Sequence, residues 1–136
     1  MNKEEIVLLA LNTGRGFTPV QIQKMIFLMQ KKLSNEISED VFNFEAYHYG
    51  PFNSSIYDTL NDLETRGLVK KTLFANSPRE YKITEDGEHT SNEISFEKRE
   101  YIKSLSDYIH SLSFSELVSK IYKDYPDMKK NSVFEG

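Results

Sequence analysis

Several residue types in this chain could carry acid–base, metal or nucleophilic chemistry, and none is spaced to do so. His48, His89 and His110 stand far apart, without the short spacing that places two ligands on one helix face or turn. There is no cysteine, which removes thiolate metal sites and disulfide scaffolds. Glu85, Asp86 and Glu88 crowd one short stretch just after Thr84, where acids favour the positive end of a helix and form a solvated face. Gly14-Arg15-Gly16 lies between two helical segments and not after a strand, so it lacks the context of a phosphate-binding loop. No serine stands in a nucleophile-elbow pattern. The expectation is a protein without catalysis, cofactor or metal.

Chemistry of another kind is concentrated in Tyr47-His48-Tyr49-Gly50-Pro51-Phe52, four aromatic side chains around a Gly-Pro turn signal just before a helix start at Asn53-Ser54-Ser55. A ring left in water forgoes roughly 1.5–3 kcal/mol of burial. Something should therefore pack on these rings. One outcome is a corner that closes the core, with tyrosine hydroxyls on backbone partners; the other is a corner that also presents Tyr47, His48 or Phe52 to a macromolecular partner. In an extended segment His48 points opposite to Tyr47 and Tyr49, so one side faces outward.

The elements that must hold this turn are legible as patterns. A first helix is expected over residues 3–12, with Ile6, Leu9 and Ala10 on one face and Val7 beside them, stopped by Gly14 and Gly16. Thr18-Pro19 restarts the chain as an N-cap and first helical residue, and Ile22, Met25, Ile26, Met29 and Leu33 carry a second helix to residue 33 or 34. Residues 41–49 read as an extended apolar segment that pairs with a later hairpin or lies across the core. A third helix follows over 54–66, burying Ile56, Leu60 and Leu63 and ending at Gly67. Residues 68–74 and 79–84 form a hairpin across a turn at 75–78. A long helix over 96–112 is expected to turn Tyr101, Ile102, Leu105, Tyr108, Ile109 and Leu112 inward. A capping box, Ser113 with Glu116, opens a last helix that ends near Tyr125.

The 136 residues, 38% of them apolar, suit one domain able to bury roughly two-thirds of its unfolded surface. The fold class expected is mainly α, within α+β: a winged-helix-like core over about residues 3–84, with a β-hairpin wing, then C-terminal helices over about 85–126 and a frayed tail over 127–136, of which Val133 and Phe134 could dock. The apolar run from Ile6 to Leu11 is too short to span a membrane and lacks a signal-peptide cleavage pattern, so a cytoplasmic location is expected.

Net charge is −4, and its distribution limits nucleic-acid binding. Between residues 53 and 83 basic residues outnumber acidic ones by five to four; between 84 and 112 the balance is three to seven. The third helix, which enters the major groove in winged-helix proteins, carries Asp58, Asp62 and Glu64, with Arg66 alone as a cation at its far end. DNA contact would fall to Lys70, Lys71, Arg79 and Lys82 on the wing, giving weak affinity. A winged-helix transcriptional regulator using those four residues is the alternative function.

Ile22-Gln23-Lys24-Met25-Ile26-Phe27-Leu28, followed by Phe44-Glu45-Ala46-Tyr47-His48-Tyr49-Gly50-Pro51-Phe52 and then Ile56-Tyr57, resembles the Panacea (SocA-like) antitoxin domain. The resemblance is close over about residues 19–68 and general beyond. It implies a phage- or mobile-element-associated antitoxin of a toxin–antitoxin pair that neutralises its cognate toxin by direct contact, in one branch as a proteolytic adaptor. The candidate contact set is Lys24, Phe27, Tyr47, His48, Tyr49, Phe52 and Tyr57. A phage protein that blocks a host defence factor would share these surface features. Whether exposed rings also drive a homodimer is open at this point.

Overall fold

The computed structural model of the chain describes residues 1–134 and is α+β, with six α-helices and two small antiparallel hairpins among them. In chain order they are α1 (Lys3–Leu11), α2 (Pro19–Lys32), β1 (Glu45–Tyr47), β2 (Gly50–Phe52), α3 (Ser55–Thr65), β3 (Val69–Phe74), β4 (Ser77–Ile83), α4 (Glu85–Asn92), α5 (Arg99–His110) and α6 (Phe114–Asp124), with a final 3-10 turn at Pro126–Lys129.

Three helices start on reciprocal capping boxes, Asn2 with Glu5, Thr18 with Gln21 and Ser113 with Glu116. Each pair satisfies amides that the first turn leaves without an intrahelical partner. The first helix departs from the one-faced pattern expected of it. Every residue from Ile6 to Leu11 is buried, because α2, α3, α4, α5 and β4 all pack around α1. It is the central rod of the core, and a helix enclosed on all sides needs no polar stripe.

Of the two courses expected for the segment before the aromatic turn, the chain takes the second and lies across the core, with Phe42 buried and its backbone paired to Gln30. It pairs neither with the later hairpin nor as one long strand. Only Glu45–Tyr47 is strand, and it folds back on Gly50–Phe52 in the register Glu45↔Phe52, Ala46↔Pro51, Tyr47↔Gly50. The reversal falls at His48-Tyr49, not at Gly50-Pro51, and Gly50, with φ +103°, takes a backbone conformation that side chains disfavour. Pro51 is tolerated in β2 because this two-stranded ribbon leaves its nitrogen free of ladder duty.

In the second hairpin, β3 pairs with β4 from Val69↔Ile83 to Phe74↔Ser77, with a register shift between Thr72 and Leu73. Its two-residue loop puts Ala75 and Asn76 at φ +51° and +66°. Phe17 and Tyr81 exchange both backbone hydrogen bonds, at 2.9 and 2.8 Å, which ties β4 to the loop between α1 and α2.

The helix expected over 96–112 begins at Arg99, whose guanidinium instead donates to the Ser91 and Ile94 carbonyls at 2.6 Å each and so locks the end of α4. Its buried stripe is Ile102, Leu105, Ser106 and Ile109. Tyr101 and Tyr108, expected inside, lie one position before Ile102 and Ile109, about 100° around the helix, and are exposed. Ser106 is accepted into the core because it bonds Thr13 at 2.9 Å, while the His110 ring nitrogens lie 2.7 Å from the carbonyls of Ser106 and Gly16.

The tail is not frayed over the residues described. Asn131 donates to the Ala46 carbonyl at 3.0 Å, the Val133 amide to the His48 carbonyl at 3.0 Å, and Phe134 meets Phe114 edge to face. The aromatic hairpin offers backbone acceptors that a polar tail can reach. Glu135 and Gly136, also in that expected tail, lie outside the described residues.

Two variants test the backbone reading. Gly87→Ala should gain about 1 kcal/mol from helix propensity. A Cβ there would instead sit 2.1 Å from the Leu68 carbonyl oxygen and 2.6 Å from Ile83 Cγ1, so net destabilisation by about 2 kcal/mol or more is expected in urea melts. Ala75→Asn with Asn76→Gly should stabilise by about 1 kcal/mol, by supplying the residues that a turn with two positive φ angles prefers.

Candidate functional site

Five of the seven expected contact residues line one surface cleft. Lys24 from α2, Tyr47, Tyr49 and Phe52 from the β1–β2 hairpin and Tyr57 from α3 surround a space of about 160 Å³, joined by Val20, Gln23 and Gly50. Tyr47 stacks on His48 at 4.2 Å with only 13° between the planes, and on Phe52 at 5.0 Å. His48 therefore shares an outward face with Tyr47 instead of pointing away from it, because the reversal at His48-Tyr49 breaks the alternation of an extended strand. Phe52 approaches Tyr57 at 5.9 Å, and Tyr49 meets Phe114 edge to face at 5.3 Å. Tyr47 and Tyr49 remain 46% and 42% exposed, so these rings are braced by neighbours without being covered.

The floor of the cleft is a cation. Lys24 is 4% exposed, and its ammonium donates to the Pro51 carbonyl at 3.2 Å. Burial lowers its pKa from the usual 10.5 to about 8. Gly50 lies directly above, where a Cβ would be 3.6 Å from Lys24 Cε and 3.5 Å from Tyr122 Cε1. Next to Lys24, Gln23 pairs with both backbone groups of Asn53 at 2.9 Å, fixing the start of α3. Tyr57 donates to the Pro19 carbonyl at 3.3 Å, and burial raises its phenol pKa against a smaller opposing pull from the Gln23 side chain.

Phe27 does not join this site. It is 1% exposed and packs edge to face on Phe44 at 5.3 Å and Tyr125 at 5.0 Å. One turn along α2 from Lys24, it falls beneath the incoming loop and the end of α6, where the core closes. Val20 and Phe114 went unnoticed in the sequence, and Gln23 entered only as part of the run that resembles the family. Helical spacing from Lys24 leads back to Val20, while Phe114 is brought in only by the chain's long return through α5 and α6.

The four wing cations occupy separate settings. Lys71 lies 3.4 Å from Glu64 and donates to Asn61 at 3.1 Å, against α3. Lys82 is 3.5 Å from Glu80, and Arg79 sits over the Phe74 ring. Lys70 faces Lys82 across the ladder on the outer side. Lys70 and Lys82 are thus neighbouring cations with Glu80 beside them, while Lys71 is held by Glu64 and Arg79 by the Phe74 ring.

Lys24→Met isolates the cost of the buried ammonium. Unfolded chains keep the Lys24 proton up to about pH 10.5 and the folded protein releases it near 8. Between those values the unfolded state binds more protons, so the stability linked to Lys24 is complete above 10.5 and is lost as pH falls through 8. At pH 7 the variant should be more stable by on the order of 2 kcal/mol, the charge penalty less one lost hydrogen bond. That advantage should shrink from pH 8 to 10.5 in urea melts of the two proteins.

No curated protein matches the chain. The family model described as "Antitoxin SocA-like, Panacea domain" matches residues 22–126, from inside α2 to just past α6, and so contains both hairpins and every residue of the cleft except Val20. The chain belongs to the SocA-like antitoxin family of Panacea domains.

Proposed function

We propose that this protein is a non-enzymatic antitoxin that neutralises a cognate toxin by direct contact, using the aromatic hairpin as its docking platform. Family membership supports an antitoxin-type role with a protein partner. The observation that carries the docking site is the half-exposed state of Tyr47 and Tyr49, two rings braced by His48, Phe52 and Phe114 on a hairpin anchored at both ends. Aromatic side chains held in place before binding lose little conformational entropy when a partner covers them, and such anchors dominate interface energies. The α2–turn–α3–hairpin order reads as a variant of the winged helix in which the platform faces protein.

The DNA-regulator alternative has less support. Two of its four cations sit beside carboxylates, and the chain carries a net charge of −4. An adaptor role, handing the toxin to a protease, would use the same surface and adds a second partner.

Tyr47→Ala combined with Tyr49→Ala should leave the melting temperature within a few degrees of the parent. It should also weaken binding to the cognate toxin by about thirtyfold or more, and abolish rescue of growth. Titration calorimetry with purified toxin checks the affinity, and inhibition of the toxin without any protease present separates neutralisation from the adaptor role. Unchanged affinity and rescue in the double variant would refute the platform.

A further inference from the structure

Lys24 combines burial with a missing counter-charge. An ammonium has three N–H donors, and among the described residues one acceptor is paired with it, the Pro51 carbonyl. None of the ion pairs among those residues includes it. The side chain is 96% buried, yet it borders a cleft open to solvent. A charge held this way in a wall of rings is poorly solvated by water and unmatched by any described residue, and so is a strong site for an anion brought from outside.

The size and charge of the cleft define the anion. About 160 Å³ is the liquid volume of about five water molecules, enough for one short side chain and well below the roughly 300–1,000 Å³ of cofactor pockets. A single ammonium neutralises a monoanion. A phosphate dianion would leave buried negative charge, and no arginine lines the cleft to fork onto it.

We propose that the cleft receives the carboxylate of an aspartate or glutamate from an extended segment of the partner protein, with Lys24 Nζ as its counter-ion and Tyr47, Tyr49, Phe52 and Tyr57 as its walls. An apolar residue adjacent to that acid lies on the exposed Tyr47–His48 stack. The partner therefore offers an acidic residue beside an aliphatic or aromatic one. This rests on the protein-binding role proposed above and specifies what the platform recognises.

The test uses the full chain, labelled with 15N, and two capped dipeptides, acetyl-Leu-Glu-amide and acetyl-Leu-Gln-amide. The glutamate peptide should shift the Tyr49 and Gly50 amide signals and bind about tenfold or more tighter than the glutamine peptide, a preference that Lys24→Met removes. Equal binding of the two peptides, no binding of either, or a preference that survives Lys24→Met would overturn the inference. In parallel, Lys24→Met should lose about thirtyfold in toxin affinity although it melts no lower than the parent. If Lys24→Met binds toxin normally while the Tyr47/Tyr49 variant does not, the carboxylate inference falls and the platform stands; if neither variant loses affinity, both fall. Glu135→Gln supplies the remaining control: a rise in affinity for the glutamate peptide in this variant would make the chain's own carboxylate the occupant and overturn the inference, and unchanged affinity supports it.

Discussion

Three polar side chains that α2 carries into the interior hold the presenting face together. Gln23 pairs with both backbone groups of Asn53, Gln30 with both backbone groups of Phe42, and Lys24 with the carbonyl of Pro51. Each amide side chain does for the loop what a neighbouring strand does in a sheet. Without them five buried or half-buried backbone groups of the 42–53 segment would lose their partners, at about 1–3 kcal/mol each. An irregular segment can cross a core in this way only if its polar groups are matched individually. The position of the hairpin follows from where α2 places its glutamines and its lysine.

The opposite side of the hairpin is held from the far end of the chain. Tyr49 contacts Phe114 at the start of α6, and Phe114 contacts Phe134 in the tail. Tyr122 donates to Ser132 at 2.6 Å, beside the point where Val133 joins the His48 carbonyl. A short two-stranded ribbon is marginal by itself in water. Clamped between α2 below and the α6 tail at its tip, it becomes a fixed surface, and the aromatic row runs continuously from Phe52 through Tyr47 and His48. The same clamping leaves Tyr47 and Tyr49 half-exposed, because the clamps grip the backbone carbonyls of Ala46, His48 and Pro51 and meet Tyr49 edge to face through Phe114.

Local signals were well represented in the sequence. The Ser113–Glu116 capping box, Thr18-Pro19, Gly67 and the β3–β4 turn each act within a few residues, and those features appear within one or two residues of where pattern reading puts them, whereas the Asn2–Glu5 box was not read. Errors arose where distant elements decide the outcome. Enclosure of α1 depends on five partners, and the outward turn of Tyr101 and Tyr108 depends on which side of α5 meets α1 and α2. Phe27 and Lys24 share a helical face in sequence; only the path of the loop and of Tyr125 makes one a core residue and the other a cleft floor. The grouping of Tyr47, Tyr49, Phe52 and Tyr57 was legible because the turn brings them together within eleven positions. Phe114 was not, since nothing local links it to Tyr49.

Lys24 also separates two explanations of the aromatic corner. If the corner only closed the core, an unbranched apolar residue at this position would fill the same space with no charge to desolvate. Among the described residues, a buried ammonium with one carbonyl partner stands apart from the three capping boxes, the buried glutamines and the Thr13–Ser106 pair, each matched by a partner of its own. Such local departures concentrate at places that complete themselves with a partner. The desolvation that lowers the proton affinity of Lys24 also removes the water that would screen its attraction for an anion, so the feature that costs folding stability is the one that strengthens recognition.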